Sequence, residues 1–461
     1  MKHYLLILCL LPAFAKAQQS ADFLRKAISA NGHWEDIPAF KYRANRYTLN
    51  PWQSYAFDQP KAEKGVLNVD FDKANSRFYH HTINQYPGGY VFNFARIGRD
   101  QAYYVYDVIG ARTGKSLIKL GQAQYQGNFH SLLTYFPYYI LKEVLDSGDT
   151  LQLKHLNGEV VITRSLNTGS QQLWLDEQTG ILHSYNNNKN GKTSTWYFDD
   201  YTTVKGYQVP GKVKQVIDST LTVTDHLISF DVVESILPSR FEVPAGYTTE
   251  TIIHQPLTAN EIEKDIYLVE KVDDDRNIVF INMQDHVVLA EAPVSEDITT
   301  AIINLIHKTL PGKPIKYVHL SHFHNDHIAG IRKLIEEGAT IICTPSMETP
   351  LRKMLAGATP SFLFFNGHKR IGDSHLPVDI FEIPNSHALG LSFIYFPRKS
   401  IIYEGDLLSV PEDGTITPAI QVSKEFYHFL KKHKLSYHRI IGHHGLSNIT
   451  PAMFDKIIKE Q

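Results

Sequence analysis

The segment Ser321-His322-Phe323-His324-Asn325-Asp326-His327 brings three imidazoles and a carboxylate into one short run. His322 and His324 stand two residues apart, so an extended loop can aim both at one ion. Asp326 and His327 emerge just beyond and can serve a neighbouring ion. Neutral imidazole and carboxylate are zinc ligands, and the same donors also accept iron or manganese. Three later positions can complete such a site. His387 lies in Pro384-Asn385-Ser386-His387-Ala388-Leu389-Gly390, Asp406 in Tyr403-Glu404-Gly405-Asp406, and His443 in Ile440-Ile441-Gly442-His443-His444-Gly445. Each sits close to glycine where a loop meets an apolar strand, so a rigid element can hold the ligand while the loop shapes access.

These residues need a frame, and the chain changes grammar near Thr258. Beyond it, β and α patterns alternate. Strands are predicted at Ile278–Ile281, Val287–Ala290, Ile315–Leu320, Thr340–Cys343, Phe381–Ile383, Leu391–Phe396 and Ser400–Tyr403. Ser295 can cap a helix running to Leu310 before Pro311-Gly312, and further helices are predicted over Ile328–Glu337, Glu425–Lys434 and Pro451–Lys459. Before Thr258 the sequence is β-rich and holds most of the tyrosines. Asn157-Gly158, Thr179-Gly180 and Asn190-Gly191 mark hairpins between runs of β-branched and aromatic residues. One helix is expected at its start, over Ala21–Ala30, ended by Asn31-Gly32. The fold class is therefore α+β in two domains: a β-rich curved antiparallel sheet over 18–255 and an alternating domain over 260–461.

The ordered motifs from His322 to His443 resemble the metallo-β-lactamase superfamily over roughly the last 200 residues. The resemblance implies two β-sheets sandwiched between helices, with the metals at one edge. It implies that His322, His324 and His387 bind a first metal, that Asp326, His327 and His443 bind a second, and that Asp406 bridges them. Two departures stand out. Glu291 occupies the place where the family often has an Asp, and would orient the ligand loop. The doubled His443-His444 fits the family's Gly-His pattern through His443, with His444 as the alternative ligand. The first half bears a weaker resemblance to the half-barrel domains of bacterial envelope lipoprotein carriers, through Ala30-Asn31-Gly32 and the stretch from Asp200 to Pro210.

Two metals so held suit a dinuclear zinc hydrolase that opens an ester, lactone, thioester or related bond of a small molecule by attack of a metal-bridging hydroxide, with Asp326 also accepting the proton. The runner-up readings are a mononuclear iron thiol or persulfide oxygenase and a non-enzymatic envelope ligand-binding protein. One β-lactamase group carries Cys where Asp406 stands, which disfavours a penicillin substrate. The β-rich half is expected to pack beside the metal edge and restrict what enters.

Bulk properties narrow the class. The net charge is -2, with 46 basic and 48 acidic residues, so no bulk field draws nucleic acid. Met1-Lys2-His3, the apolar Tyr4–Phe14 and Ala15-Lys16-Ala17 read as a cleavable signal peptide over 1–17, which places the mature chain in the periplasm or outside. Leu8 before Cys9 is not a lipidation signal, and no later run is long enough to span a membrane. Cleavage leaves Cys343 alone, without a disulfide partner, in an apolar strand where it reads as a buried inert thiol. His319 is expected to pack or support the site, while His368, His375, His428, His433 and His438 read as surface or structural. The Lys431–Lys434 run reads as a solvated helix face.

Overall fold

The computed structural model describes residues 18–250, 256–273, 275–372 and 375–460. The signal peptide expected over 1–17 lies outside them. The first half opens with a helix over 18–30 and then builds one fourteen-stranded sheet. From one edge the strands run Thr248–Glu250, Ser116–Leu120, Ala102–Asp107, Tyr90–Arg99, Arg77–Tyr86, Glu63–Asp72, Ala39–Leu49 and Leu221–Val233. They continue through Lys212–Ile217, Lys192–Asp199, Leu182–Lys189, Gly169–Asp176 and Glu159–Leu166 to Leu151–Leu156. The hairpins at 157–158 and 190–191 form where the sequence marks them, with Asn157 and Asn190 in the left-handed region at φ 53° and 54°. That geometry matches the right-handed twist of the flanking strands.

Two helices in this half, Gln122–Leu133 and Pro137–Asp146, are absent from the sequence reading, which expected only the opening one. Pro137-Tyr138-Tyr139-Ile140 looks strand-like by composition. Its spacing decides otherwise: Pro137, Tyr138, Ile140, Leu141 and Val144 are buried, a stripe of helical period. Ile140, Leu141 and Val144 pack with Leu24 and Ala27 of the first helix against Leu173, Leu175, Trp196 and Phe198 of the sheet. Beside them Trp34 is fully buried among Phe40, Phe136 and Phe230. The most deeply buried ion pair among the described residues of this half joins Arg46 and Asp225. Arg46 donates to both oxygens of Asp225 at 2.8 Å and to the Tyr135 hydroxyl at 2.6 Å.

The second half stacks two sheets. Seven strands run Asn260–Glu263, Ile266–Val272, Arg276–Asn282, Val287–Ala290, Ile315–His319, Thr340–Cys343 and Ser361–Phe364. Five run His368–Gly372, Pro377–Glu382, Ser392–Phe396, Ile401–Glu404 and Arg439–Gly442. Strands covered on both faces read as continuous apolar runs, and alternate residues here serve different cores. Val279, Ile281 and Val288 meet Val378, Ile380, Ile394 and Tyr403 between the sheets. Ile278, Phe280 and Leu289 turn outward under the helix Glu296–Thr309, capped by Ser295, whose side chain accepts from the Ile298 N–H. On the other side Gln421–Lys432 and Pro451–Lys459 bury Val422, Phe426, Phe454 and Ile457 against the five-stranded sheet. The helix expected over 328–337 is two, Asn325–Ile328 and Ile331–Glu336. The break falls at Gly330, where a Cβ would sit 1.8 Å from Thr299 Oγ1, so the chain turns where only glycine fits. No helix among the described residues is long and apolar enough to cross a membrane.

Candidate metal centre

The ligand run follows the strand Ile315–His319 and is braced from below. Glu291 N–H donates to the His319 carbonyl at 2.8 Å, Ala292 N–H to that of His327 at 2.9 Å, and Val294 N–H to that of Asp326 at 3.2 Å. Holding this brace places Glu291 and Val294 in the left-handed region, at φ 67° and 64°, a conformation that costs a β-branched residue about 1–3 kcal/mol. The fully buried Glu291 carboxylate accepts from Ser321 N–H at 3.3 Å and stands 3.6 Å from His327 Nδ1. It therefore touches the ligand loop directly.

Two groups of donors result. His322, His324, His387 and Asp406 place one ligand atom each within 4.8 Å of one another, and His327, His443 and His444 do the same. Asp406 faces both: Oδ2 is 3.1 Å from His387 Nε2 and Oδ1 is 3.3 Å from His327 Nε2. Asp326 borders the second group, with Oδ2 3.5 Å from His444 Nε2 and 3.9 Å from His327 Nε2. The Glu404 carboxylate under Asp406 accepts from Leu407 N–H at 2.7 Å and Leu408 N–H at 3.1 Å, fixing the turn that carries Asp406.

Each of these imidazoles except that of His327 is held through its other nitrogen. His322 Nδ1 meets Ser321 Oγ at 2.9 Å. His443 Nδ1 meets the Tyr403 hydroxyl at 3.0 Å and the Asn277 carbonyl at 3.1 Å, and His444 Nδ1 meets Asp275 Oδ2 at 3.1 Å. For the remaining two the partner comes from the other half of the chain. His324 Nε2 donates to the Ser54 carbonyl and His387 Nδ1 to the Pro87 carbonyl, both at 3.0 Å. The β-rich half adds more. Tyr90 donates its hydroxyl to the Asp406 carbonyl at 3.0 Å and packs its ring against His387 with centroids 5.2 Å apart, and Gln53 Nε2 donates to Asp326 Oδ1 at 2.8 Å. Leu389 N–H to the Tyr55 carbonyl and Phe57 against Phe323 close the same seam.

The nitrogens left over are the ones that meet. His322 Nε2, His324 Nδ1, His327 Nε2, His387 Nε2, His443 Nε2, His444 Nε2 and Asp406 Oδ1 are all buried without a hydrogen-bond partner. Leaving a buried polar atom unpaired costs about 1–3 kcal/mol, so seven in one place make a liability unless cations satisfy them. Protonation divides them: burial acts to lower His327 and His444, but the Asp406 carboxylate holds the first well above and the second above the usual histidine range, so an ion at the second position would displace their protons. Burial pushes His322 and His443 well below the usual histidine range and His324 down to about 3, so all three are neutral, the form that ligates. Burial acts against the Asp406 charge, but neighbouring His327 and His444 hold its carboxyl well below the ordinary range. The donor set thus fits two divalent ions sharing one carboxylate.

Residues 273–437 match the metallo-beta-lactamase superfamily. The C-terminal half is a metallo-β-lactamase-fold domain. The matched region holds His322 through Asp406, while His443 and His444 lie just beyond it. Among solved structures, a metallo-beta-lactamase from Pontibacter korlensis is 14% identical, covering 44% of this chain and 100% of that one, at a TM-score of 0.37. The flavodiiron protein from Giardia intestinalis is 17% identical over 45% of this chain and 59% of its own, at 0.36. Rubredoxin oxygen:oxidoreductase from Desulfovibrio gigas is 12% identical over 44% and 60%, at 0.38. This chain thus spans about three fifths of each of the last two. No curated protein matches the chain.

The structure brings His322, His324, His327, His387, Asp406 and His443 together with Asp326 at their margin, and adds His444. His319 stays out of the ligand set, its Nε2 on Ser392 Oγ at 2.9 Å. His368 pairs with Asp379, and His433 stacks on Phe429. Sequence reasoning missed Gln53, Tyr90, Asp275, Asn277 and Tyr403. Asp275 had a signal, an acidic turn ahead of a strand. Tyr403 stands within the Asp406 motif but carries no signal of its role there, while Gln53, Tyr90 and Asn277 lie in no motif and reach the site only through tertiary packing.

Proposed function

We propose that this chain is an exported, dinuclear zinc hydrolase that opens an ester, lactone, thioester or related bond of a small molecule. One observation carries the reading: seven buried, unpartnered ligand atoms converge in two groups joined by Asp406. His322, His324 and His387 would hold the first ion, Asp326, His327 and His443 the second, and Asp406 both. Zinc there would supply a Lewis acid for the substrate oxygen and a water that ionises near neutral pH.

The chain's own residues do the rest. Asp326 is the half-exposed carboxylate of the site. Gln53 holds its Oδ1, and Arg276 Nη2 lies 3.7 Å from Oδ2. Burial opposes its charge, but His327 holds its carboxyl well below the ordinary range. Asp326 is therefore ionised at neutral pH and can accept a proton from an attacking water. The loop around Gln53 and the turn at Pro87 cover His324 and His387 and narrow the approach, which favours compact substrates over polymers.

The test is metal content of protein purified without added metal, beside Asp406→Ala. Two zinc ions per chain, with one or both lost in the variant, support the reading and justify a panel of esters, lactones, thioesters and phosphoesters. One iron per chain puts the thiol oxygenase first. No metal, even after zinc is supplied, leaves a binding protein. Export is tested on the same preparation: a mature N-terminus at Gln18 in the periplasmic or secreted fraction supports it, and an intact Met1 there argues against it.

A further inference from the structure

We propose that a cleft at the seam between the two halves is a binding site for a small organic carboxylate, held by Arg112. The cleft offers about 150 Å³, and a benzene ring fits a protein cavity of that size. Both halves build it. Val91, Ile109 and Ala111 line it from the first, and Leu408, Val410 and Ile420 from the second. Apolar pockets with a few polar groups gather where domains meet. None of the lining residues belongs to either group of metal donors. Tyr90 touches both places, since its ring lines the cleft and its hydroxyl donates to the Asp406 carbonyl.

One cation stands in this apolar setting. The Arg112 backbone is anchored, its N–H donating to Asp107 Oδ2 at 2.7 Å. Its guanidinium carbon lies 4.9 Å from the Phe92 ring centroid and 5.7 Å from that of Tyr90. Rings at that range attract the guanidinium but accept none of its N–H groups as a carboxylate would. Arg43, Arg46, Arg77 and Arg164 of the same half each pair with an aspartate. Arg112 pairs with no carboxylate among the described residues, and its side chain makes one long hydrogen bond, from Nη1 to Ser409 Oγ at 3.5 Å.

A second observation points to the same occupant. Ser423 lines the cleft, is 3% exposed, and its hydroxyl has no hydrogen-bond partner among the described residues. It stands in the first turn of the helix Gln421–Lys432, whose N-cap Ile420 supplies no side-chain acceptor for the first N–H groups. The cleft therefore presents donors from both halves, and no acidic residue lines it. An inorganic anion would gain nothing from the apolar walls. An organic carboxylate buries its body against them and offers two oxygens to the planar fork of the arginine.

The experiment titrates the full-length chain with benzoate by calorimetry, beside benzyl alcohol and inorganic phosphate. Benzoate is expected to bind saturably, one per chain. Benzyl alcohol keeps the ring and lacks the charge, so it should bind about 10- to 100-fold more weakly, the range for a charge-assisted hydrogen bond. That comparison needs no variant to fold. Arg112→Gln should weaken benzoate by the same factor, and Thr417→Trp, which fills the cleft from its half-buried rim and keeps Arg112, should abolish binding. Metal content is measured on every sample and should not change. The absence of saturable benzoate binding would overturn the proposal. So would equal affinity in all three proteins, which would place the carboxylate on the metal centre, or phosphate binding more tightly than benzoate. Each of these failures leaves the dinuclear reading standing, because that reading is decided by metal content alone.

Discussion

Each half of the molecule buries a cluster of charged groups, and the two clusters are resolved in opposite ways. In the first half Arg46, Asp225 and Tyr135 satisfy one another: both guanidinium–carboxylate contacts are made and the hydroxyl fills the remaining side. Nothing is left over for a ligand. In the second half the hydrogen bonds go to the backs of the rings, to Ser321, Ser54, Pro87, Asn277 and Asp275, and the front atoms are left without partners. A closed cluster supports the fold, whereas an open one is arranged for something the chain must acquire. Burial of polar groups does not by itself mark a functional site. The direction in which the unsatisfied atoms point does.

The strongest way to break this contrast is Asp406→Ala, which removes the one carboxylate that, among the described residues, faces both groups. Metal binding at both positions should fall, and turnover with it by about a thousandfold or more, since metal stabilisation of the transition state is worth several kcal/mol. Elemental analysis and a rate assay on the same sample check both. Folding should survive, because the lost group serves the ions and not the core.

The mirror experiment is Asp225→Ala. It leaves Arg46 charged and unpaired inside the first half, which should cost about 3–5 kcal/mol in urea unfolding while leaving metal content unchanged. Replacing Arg46→Met and Asp225→Leu together should recover most of that loss, since a closed pair exchanged for apolar groups of similar size is near neutral. A double variant as unstable as the single one would show that the pair does more than close on itself.

Tyr90→Phe probes the seam between the halves. It removes one hydroxyl donor to the Asp406 carbonyl and keeps the ring against His387. Metal affinity should fall about tenfold, as it does when an outer partner of a ligand is lost, with global stability reduced by about 1 kcal/mol. Competition with a chromogenic chelator measures the first and urea unfolding the second. The smallest effect concerns Cys343, a donor that belongs to neither cluster. It is fully buried, and burial pushes its thiol up to about 12. At pH 8 the native chain should resist alkylation, which needs the thiolate, and react at once in denaturant. Rapid native labelling would contradict the burial.

Much of the second half was legible because its information is local. His322, His324, Asp326 and His327 stand in one run, His387 and Asp406 sit at the ends of apolar stretches, and strands buried on both faces announce a covered sheet. The first half was less legible. Tyrosine and β-branched residues suggest strand wherever they occur, so Pro137–Asp146 was concealed until its buried positions showed a helical period. What no local pattern could show was the seam. Gln53, Ser54, Pro87 and Tyr90 are ordinary surface-type residues in sequence and reach the site only because a sheet and a sandwich pack together. The doubled histidine was visible, but whether both rings face inward depends on the left-handed turn at Gly445, which tertiary contacts set.

The acceptors that Ser54 and Pro87 offer are main-chain carbonyls, and every amino acid carries the same one. Point substitutions at these two positions would leave the groups that set the His324 and His387 tautomers chemically intact. Insertions and deletions would not, because a shift of one residue in either loop moves the carbonyl away from its ring. The seam is thus tolerant of changes in identity and intolerant of changes in length, so variation among natural or engineered versions of this chain should spare the spacing of these loops more strictly than their composition.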